Sequence, residues 1–395
     1  MNDASRSALV QELHQQAPLT DVHVHPSLKS WLFNRSIWNR GLSTNFLNPW
    51  SDRSSLSRVH NGGFRVLLVT HHIPEAGLFE DSWLLKFLIR VVGMNSKLRN
   101  GSSYQRLTEM MDYLDKQVAG RRDGVELVET PGRLSELLET DKLILLHAVE
   151  GGHVLEGNLE NLNKLADRGV VSLTLTHFFP NDIGRNVDSI PDSFFFKKFS
   201  NYESEFNNVE PLTEFGKDVL TRMQSLGMLP DITHTAPEGR KAIYNHVPSG
   251  FPLVATHVGL HELCPDPMNL TDDELVELAN RNGAVGLIFF KYFLDRRESS
   301  DIFEALWKSI KHIHDVTGSW DHIMVGTDFD GFTSPSPELQ HAGDFPAFTK
   351  MLLDRGLSHE AIRKILGGNA IRIIKQVWEK RPGSPDDSQR TPEVE

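Results

Sequence analysis

The chain reads as an α/β protein, and within that class as a (β/α)8 TIM barrel with long loop insertions. Three observations carry this. Its strand-like stretches are apolar on both faces, as Leu143-Ile-Leu-Leu-His-Ala-Val149 and Gly283–Phe290 show. Strands of that kind belong in a parallel sheet covered by helices. Eight of them alternate with helical patterns, the signature of eight βα units closing on themselves. No G-x-G-x-x-G follows the first strand, which counts against a doubly wound open sheet.

Taken in order, residues 4–16 predict a short helix, and Leu19–His25 is the first strand. A polar and aromatic segment follows at 26–62, holding Trp31, Trp38 and Trp50. The second strand, Phe64–Thr70, runs into His71-His72. Residues 80–120 read as two helical pieces, broken around the Asn-, Ser- and Gly-rich stretch Asn95–Ser103. Leu143–Val149 is the third strand and Leu159–Arg168 a helix. The fourth strand, Val170–Thr176, leads into a loop at 178–211, whose Phe194–Phe196 read as loop packing. Thr213–Leu226 is a helix with Phe215, Val219, Leu220 and Met223 near helical spacing and Thr213 as its N-cap. Met228–Thr233 is the fifth strand, followed by a helix at 237–246, and Pro252–Thr256 is the sixth. Thr271-Asp-Asp-Glu274 opens the helix Thr271–Asn280 as a capping box. Gly283–Phe290 is the seventh strand, Asp301–Val316 a helix and Ile323–Asp328 the eighth strand. Helices at 346–354, 359–366 and 369–380 close the barrel. The insertions follow strands 1, 2 and 4. Residues 1–380 are expected to form a single barrel, with 26–62 and 80–120 at its mouth, and the Pro/Ser/Asp/Glu-rich residues 381–395 a disordered tail.

With 39% hydrophobic and 24% charged residues, the 395-residue chain has the composition of a globular protein with ample core. Its net charge of −12, from 41 basic and 53 acidic residues, argues against nucleic acid or an anionic membrane as the main partner. The acidity suits a cationic cofactor. Cys264 is the only cysteine, so no intrachain disulfide can form, and a reducing, cytoplasmic setting is expected. The first twenty residues lack the apolar stretch of a signal peptide. No run approaches the ~18 apolar residues of a membrane span.

The chemistry collects at the strand ends, where a barrel places its active site. In Thr20-Asp-Val-His-Val-His25, the two histidines are two apart on a strand and project to one face. Strand 3 ends in Glu150, strand 4 in His177, strand 5 in His234, strand 6 in His257 and strand 8 in Asp328. A random placement of 18 histidines would scatter them over helices and loops. Imidazole and carboxylate without thiolate suit zinc or another divalent first-row metal. The donors outnumber what one tetrahedral ion takes, so two ions bridged by Glu150 are expected. Two such ions about 3.5–4 Å apart would clamp a hydroxide and polarise a carbonyl or phosphoryl oxygen, which is hydrolase chemistry. Plainer readings serve elsewhere. His312 and His314 are two apart on a helix and so diverge on a solvated face. His71 and His72 suit structural or supporting roles, and Asp231 a buried hydrogen-bonding one. Asp328-Phe-Asp330-Gly331 lacks the spaced oxygen ligands of a calcium loop.

The stretches Val149-Glu-Gly-Gly-His153, Leu173-Thr-Leu-Thr-His177, Leu212-Thr-Glu-Phe-Gly216, Gly227-Met-Leu-Pro-Asp-Ile-Thr-His234, Ala255-Thr-His257, Gly326-Thr-Asp-Phe-Asp-Gly331 and Gly368-Asn369 resemble the membrane (renal) dipeptidase family of zinc peptidases, a branch of the amidohydrolase-type barrels. The resemblance runs from about Asp141 to Val377, with the His motif at 21–25. It implies two zinc ions, one held by His23, His25 and Glu150, the other by Glu150, His234 and His257. It also implies a substrate-contacting His177 that steadies the tetrahedral intermediate, an Asp328 that handles the proton of a bridging hydroxide, a small amide or dipeptide substrate, and a homodimer. Met268, after strand 6, and Phe290, at the end of strand 7, are candidate substrate contacts beside His177.

Three departures stand out. The family's first motif is usually His-x-Asp, whereas this chain has His-x-His, the pattern of barrels in which the strand 8 aspartate is also a ligand. The family's carboxylate-gripping arginine, eleven residues past the strand 6 histidine, is Met268 here, and a thioether cannot replace a bidentate guanidinium. Arg296 and Arg297 are the nearby candidates to replace it. The segments 26–62 and 80–120 do not follow the family pattern. Two rival readings therefore remain beside the peptidase: the same barrel acting on an ester, lactone or phosphoester, and a binding homologue without catalysis.

Overall fold

The computed structural model describes residues 3–75, 97–120, 124–189, 209–297 and 301–381, apart from positions 42, 46, 47, 49, 99 and 332. The first helical piece at 80–96, the Phe194–Phe196 loop and the tail beyond Arg381 lie outside the described residues. Among the described residues there are nine strands: β1 (Thr20–Val24), β2 (Val66–His72), β3 (Val125–Leu127), β4 (Leu143–Glu150), β5 (Ser172–Thr174), β6 (Leu229–Asp231), β7 (Val254–Val258), β8 (Ala284–Leu287) and β9 (Ile323–Val325). All pair in parallel, in the order β2-β1-β9-β8-β7-β6-β5-β4-β3, and a further β2–β4 pairing closes the ring. Eight strands thus form a parallel barrel surrounded by helices, as the apolar strands predict.

The strand β3 has no counterpart in the sequence pattern. It pairs with Leu143–Leu145 at the start of β4, on the side where β5 joins only from Ala148 onward. It fills the gap left by the short β5. Three residues interrupted by Glu126 are too few to show a strand period, so only the pairing reveals it.

The barrel is held by burial. Every residue of β1, β2 and β4 is buried. The surrounding helices press amphipathic faces on it, among them Ser103–Ala119 (Leu107, Met110, Met111, Leu114) and Ile302–Thr317 (Leu306, Ile310, Ile313). Helix starts follow local chemistry. The Thr213 hydroxyl accepts the N–H of Gly216 at 2.9 Å, and Thr271 and Glu274 form a reciprocal capping box.

Two buried aspartates lock strand ends to one another. Asp21 accepts the Thr327 hydroxyl at 2.6 Å and the Thr327 N–H at 3.0 Å, tying β1 to the end of β9. Asp231 accepts the hydroxyls of Thr174 and Thr256, each at 2.6 Å, tying β6 to β5 and β7. The buried hydrogen-bonding role expected of Asp231 is thereby observed.

Candidate metal centre and active site

The strand-end donors converge at one rim. Glu150 is the hub. Its Oε1 lies 3.2 Å from His23 Nε2, 3.5 Å from His234 Nε2 and 3.4 Å from His257 Nε2. Its Oε2 lies 3.6 Å from His25 Nε2 and 3.7 Å from His177 Nε2. His23 and His25 face each other through Nε2 at 3.1 Å, and His234 and His257 do the same at 3.0 Å. Asp328 Oδ1 stands 3.2 Å from His25 Nε2. All seven side chains are buried. Residues up to 305 positions apart in the sequence, from His23 to Asp328, meet because the barrel brings every C-terminal strand end to one circle.

These residues fit divalent metal ions. The donors are imidazole nitrogens and carboxylate oxygens, the set zinc favours. Two imidazole nitrogens in contact can share at most one hydrogen. His25 Nδ1 lies 3.0 Å from the Thr70 carbonyl oxygen, which only accepts, so Nδ1 carries a hydrogen and in the neutral ring Nε2 is a lone pair. His234 Nδ1 lies 2.8 Å from Ser189 Oγ, a hydroxyl that can donate or accept. Lone pairs turned on one another around a carboxylate are an arrangement that a cation relieves.

The electrostatics divide the histidines. Burial, reinforced by neighbouring imidazoles, pushes His234 and His257 below the ordinary imidazole range. Burial works the same way on His25, but Asp328 and Glu150 outweigh it and hold it above that range. Glu150 and Glu75 do so for His177. Glu150 itself is held well below the usual carboxylate range, because the adjacent imidazoles, His177 first, overcome the cost of its burial.

His234 and Asp328 both have left-handed backbones, with φ of 65° and 53°. Non-glycine residues in that region cluster at functional sites, where the surroundings must impose the conformation. The N–H of Asp328 is bonded to the His23 carbonyl at 2.9 Å, and the carbonyl of His234 to the Val187 N–H at 2.7 Å.

The other sequence candidates have these surroundings. Met268 is packed in the hydrophobic core, 1% exposed. Phe290 is half-buried and stacks with Tyr292 at a 5.9 Å centroid separation. Arg296 is paired with Asp266 and Arg297 with Asp295. His312 pairs with Asp272 at 2.6 Å, and His314 stacks on Trp320, both at the surface.

Glu75, Ser189 and Thr256 carry no clear signal in the sequence, whereas His72 takes the supporting place expected of it. Glu75 places Oε1 at 3.2 Å from His177 Nδ1, and Oε2 at 3.7 Å from His72 Nε2. His72 in turn has Nδ1 at 3.8 Å from Glu150 Oε2. Burial lowers His72 to about 3, so it sits neutral beside the centre. A carboxylate three residues past the second strand's His pair was the available clue for Glu75. Ser189 and Thr256 carry hydroxyls common in any strand or loop. His71 points the other way and bonds His147 at 2.8 Å outside the barrel wall.

A family model described as membrane dipeptidase (peptidase family M19) matches residues 7–386. An uncharacterized protein in the pqqA 5′ region of Klebsiella pneumoniae is 26% identical over 283 residues, covering 71% of this chain and 99% of that one. An uncharacterized dipeptidase of Schizosaccharomyces pombe is 29% identical over 228 residues, covering 58% of this chain, which spans 51% of that relative. A metallo peptidase from Rhodobacter sphaeroides, solved with a phosphinate mimic of the dipeptide L-Ala-D-Ala, aligns with a TM-score of 0.71 at 20% identity, covering 92% of this chain and 99% of its own. That structural likeness supports the barrel fold. On the family match across nearly its whole length, the chain belongs to the membrane dipeptidase family, peptidase family M19.

Proposed function

We propose that the protein is a metal-dependent hydrolase acting on a small amide, with a dipeptide as its substrate class. The observation that carries this is the convergence of four imidazole Nε2 atoms on the Glu150 carboxylate, with Asp328 against one of them, His25. Two zinc ions would suit the donor set: His23, His25 and Glu150 would hold one, and Glu150, His234 and His257 the other. When bound, such ions polarise a carbonyl and bring the pKa of water toward neutrality.

The chain's own groups do the rest. His177 presents Nε2 toward Glu150, placed to donate to the oxygen that gains charge in the transition state. Asp328 accepts the proton of the attacking water and returns it to the leaving nitrogen. The dipeptide class draws on the family, and on the L-Ala-D-Ala mimic bound by the Rhodobacter sphaeroides relative. A homodimer and a reducing, cytoplasmic setting complete the reading. The buried, unpaired thiol of Cys264 is in keeping with that setting. Among the described residues, no helix is long and apolar enough to cross a membrane.

The test is hydrolysis of a dipeptide panel by protein stripped with chelator and then given zinc. Activity should vanish and return. Full activity without metal overturns the metal reading, and no turnover of any dipeptide with zinc present overturns the substrate class. One observation favours a second reading. Met268, where the family resemblance leads one to expect a carboxylate-gripping arginine, is buried in the core. That suits a substrate without a free carboxylate, so esters, lactones and phosphoesters belong in the same screen.

A further inference from the structure

We infer that Thr256 is a positioning residue whose single hydroxyl presets two histidines, His23 and His257, for metal. This rests on the metal-centre reading above but not on the peptide substrate.

A threonine hydroxyl has one hydrogen to give and two lone pairs to accept with. The hydrogen of Thr256 goes to Asp231. Oγ1 lies 2.6 Å from Asp231 Oδ2, which also accepts the Thr174 hydroxyl at 2.6 Å. The other oxygen, Oδ1, accepts the N–H of Thr233 at 3.0 Å, the Thr233 hydroxyl at 2.6 Å and the N–H of Thr256 at 3.0 Å. Five donors aimed at one aspartate are what an acceptor-only carboxylate collects.

With its hydrogen committed, Thr256 Oγ1 can only accept from its remaining neighbours. Those neighbours are His23 Nδ1 at 3.0 Å and His257 Nδ1 at 3.1 Å. Both nitrogens therefore carry hydrogen, and in the neutral rings the two Nε2 atoms are left as bare lone pairs. They lie 3.2 Å and 3.4 Å from Glu150 Oε1, where a metal would need them. A ligand histidine is oriented and made a better donor when its far nitrogen is held in this way. Here one hydroxyl on β7 does it for histidines on two strands.

Thr256 is itself fixed in place. Its carbonyl oxygen packs against Gly286 and Gly326 so closely that a Cβ on either would fall 1.9 Å or 1.7 Å from it. The main chain that carries the hydroxyl cannot shift without the strands parting, and the bond to Asp231 holds the hydroxyl itself.

The experiment compares Thr256→Val, which keeps the shape and removes the hydroxyl, with Thr256→Ser, which keeps the hydroxyl and removes the methyl. Zinc affinity of the full chain is measured by competition with a chromophoric chelator. Ring protonation is read on metal-free, 15N-histidine-labelled protein from long-range 1H–15N couplings. Thr256→Val should weaken zinc binding about 10- to 100-fold, and Thr256→Ser should stay within about threefold of the parent. The parent should show His23 and His257 with hydrogen on Nδ1, and Thr256→Val a mixture of tautomers. Unchanged zinc affinity in Thr256→Val overturns the inference. So does equal impairment in Thr256→Ser, which would assign the effect to packing, and so does hydrogen on Nε2 of either ring in the parent. A chain that binds zinc as described yet cleaves no peptide would fail the proposed substrate and leave this inference standing.

Discussion

Glu75 Oε1 lies 3.2 Å from Nδ1 of His177 and at the same time accepts the backbone N–H of Phe178 at 2.9 Å. The amide of the neighbouring residue thus pins the carboxylate that holds the imidazole, and the Phe178 ring covers the His177 ring at a 3.7 Å centroid separation. His177 Nε2 is left facing Glu150. If His177 acts on the substrate oxygen, Glu75→Gln should lower kcat about 10- to 100-fold with KM and zinc content little changed. In a His177→Asn background the same change should cost nothing further, because the effect runs through the ring. Steady-state kinetics of the two single variants and the double variant decide this. Equal losses in both backgrounds would show that Glu75 acts some other way.

Asp328 separates proton transfer from metal binding. Its Oδ1 is 3.2 Å from His25 Nε2, a distance compatible with either role. Asp328→Asn should reduce kcat by about 10²- to 10⁴-fold, the range for a lost general acid–base, while bound zinc stays at the parent level. Metal analysis beside the kinetics is the check. Loss of an equivalent of zinc would make Asp328 a ligand.

Beneath the centre the strands leave no room for a methyl group. Gly326→Ala and Gly286→Ala would each drive a Cβ into the Thr256 carbonyl. Each should destabilise the fold by about 1–3 kcal/mol or more and weaken zinc binding, since Thr256 holds His23 and His257. Urea denaturation with and without zinc measures both effects.

Acid stability should depend on a residue far from the centre. His14 is buried, bonds the Thr349 hydroxyl through Nε2 at 2.7 Å, and is lowered by burial from 6.5 to about 4. The unfolded chain takes up this proton near pH 6.5, whereas the folded chain resists until about pH 4. The neutral ring's contribution is therefore whole above pH 6.5 and is lost as pH falls toward 4, a change on the order of 3 kcal/mol. His14→Gln should flatten the fall in urea midpoint between pH 7 and pH 4.5 relative to the parent. Parallel curves would remove His14 as the cause.

Much of the site was legible because barrel geometry makes strand ends meaningful. His23, His25, Glu150, His177, His234, His257 and Asp328 were each marked by an apolar run that stops at a polar, metal-competent residue, and all seven come together. The supporting groups were not legible in the same way. Thr256 reads as an ordinary β-branched strand residue until Asp231 and two histidines from other strands are seen around it. Glu75 gains its meaning only when it reaches past β4 to His177.

Composition and periodicity suffice to specify a parallel barrel and the rim on which its chemistry stands, since burial on both faces and the alternation of strand and helix are properties of local stretches. Which nitrogen of each histidine carries hydrogen, and which carboxylate oxygen faces which ring, is set only by folding. Those choices depend on contacts a few ångströms long between residues such as His23 and Thr256, 233 positions apart along the chain, and no local pattern encodes them.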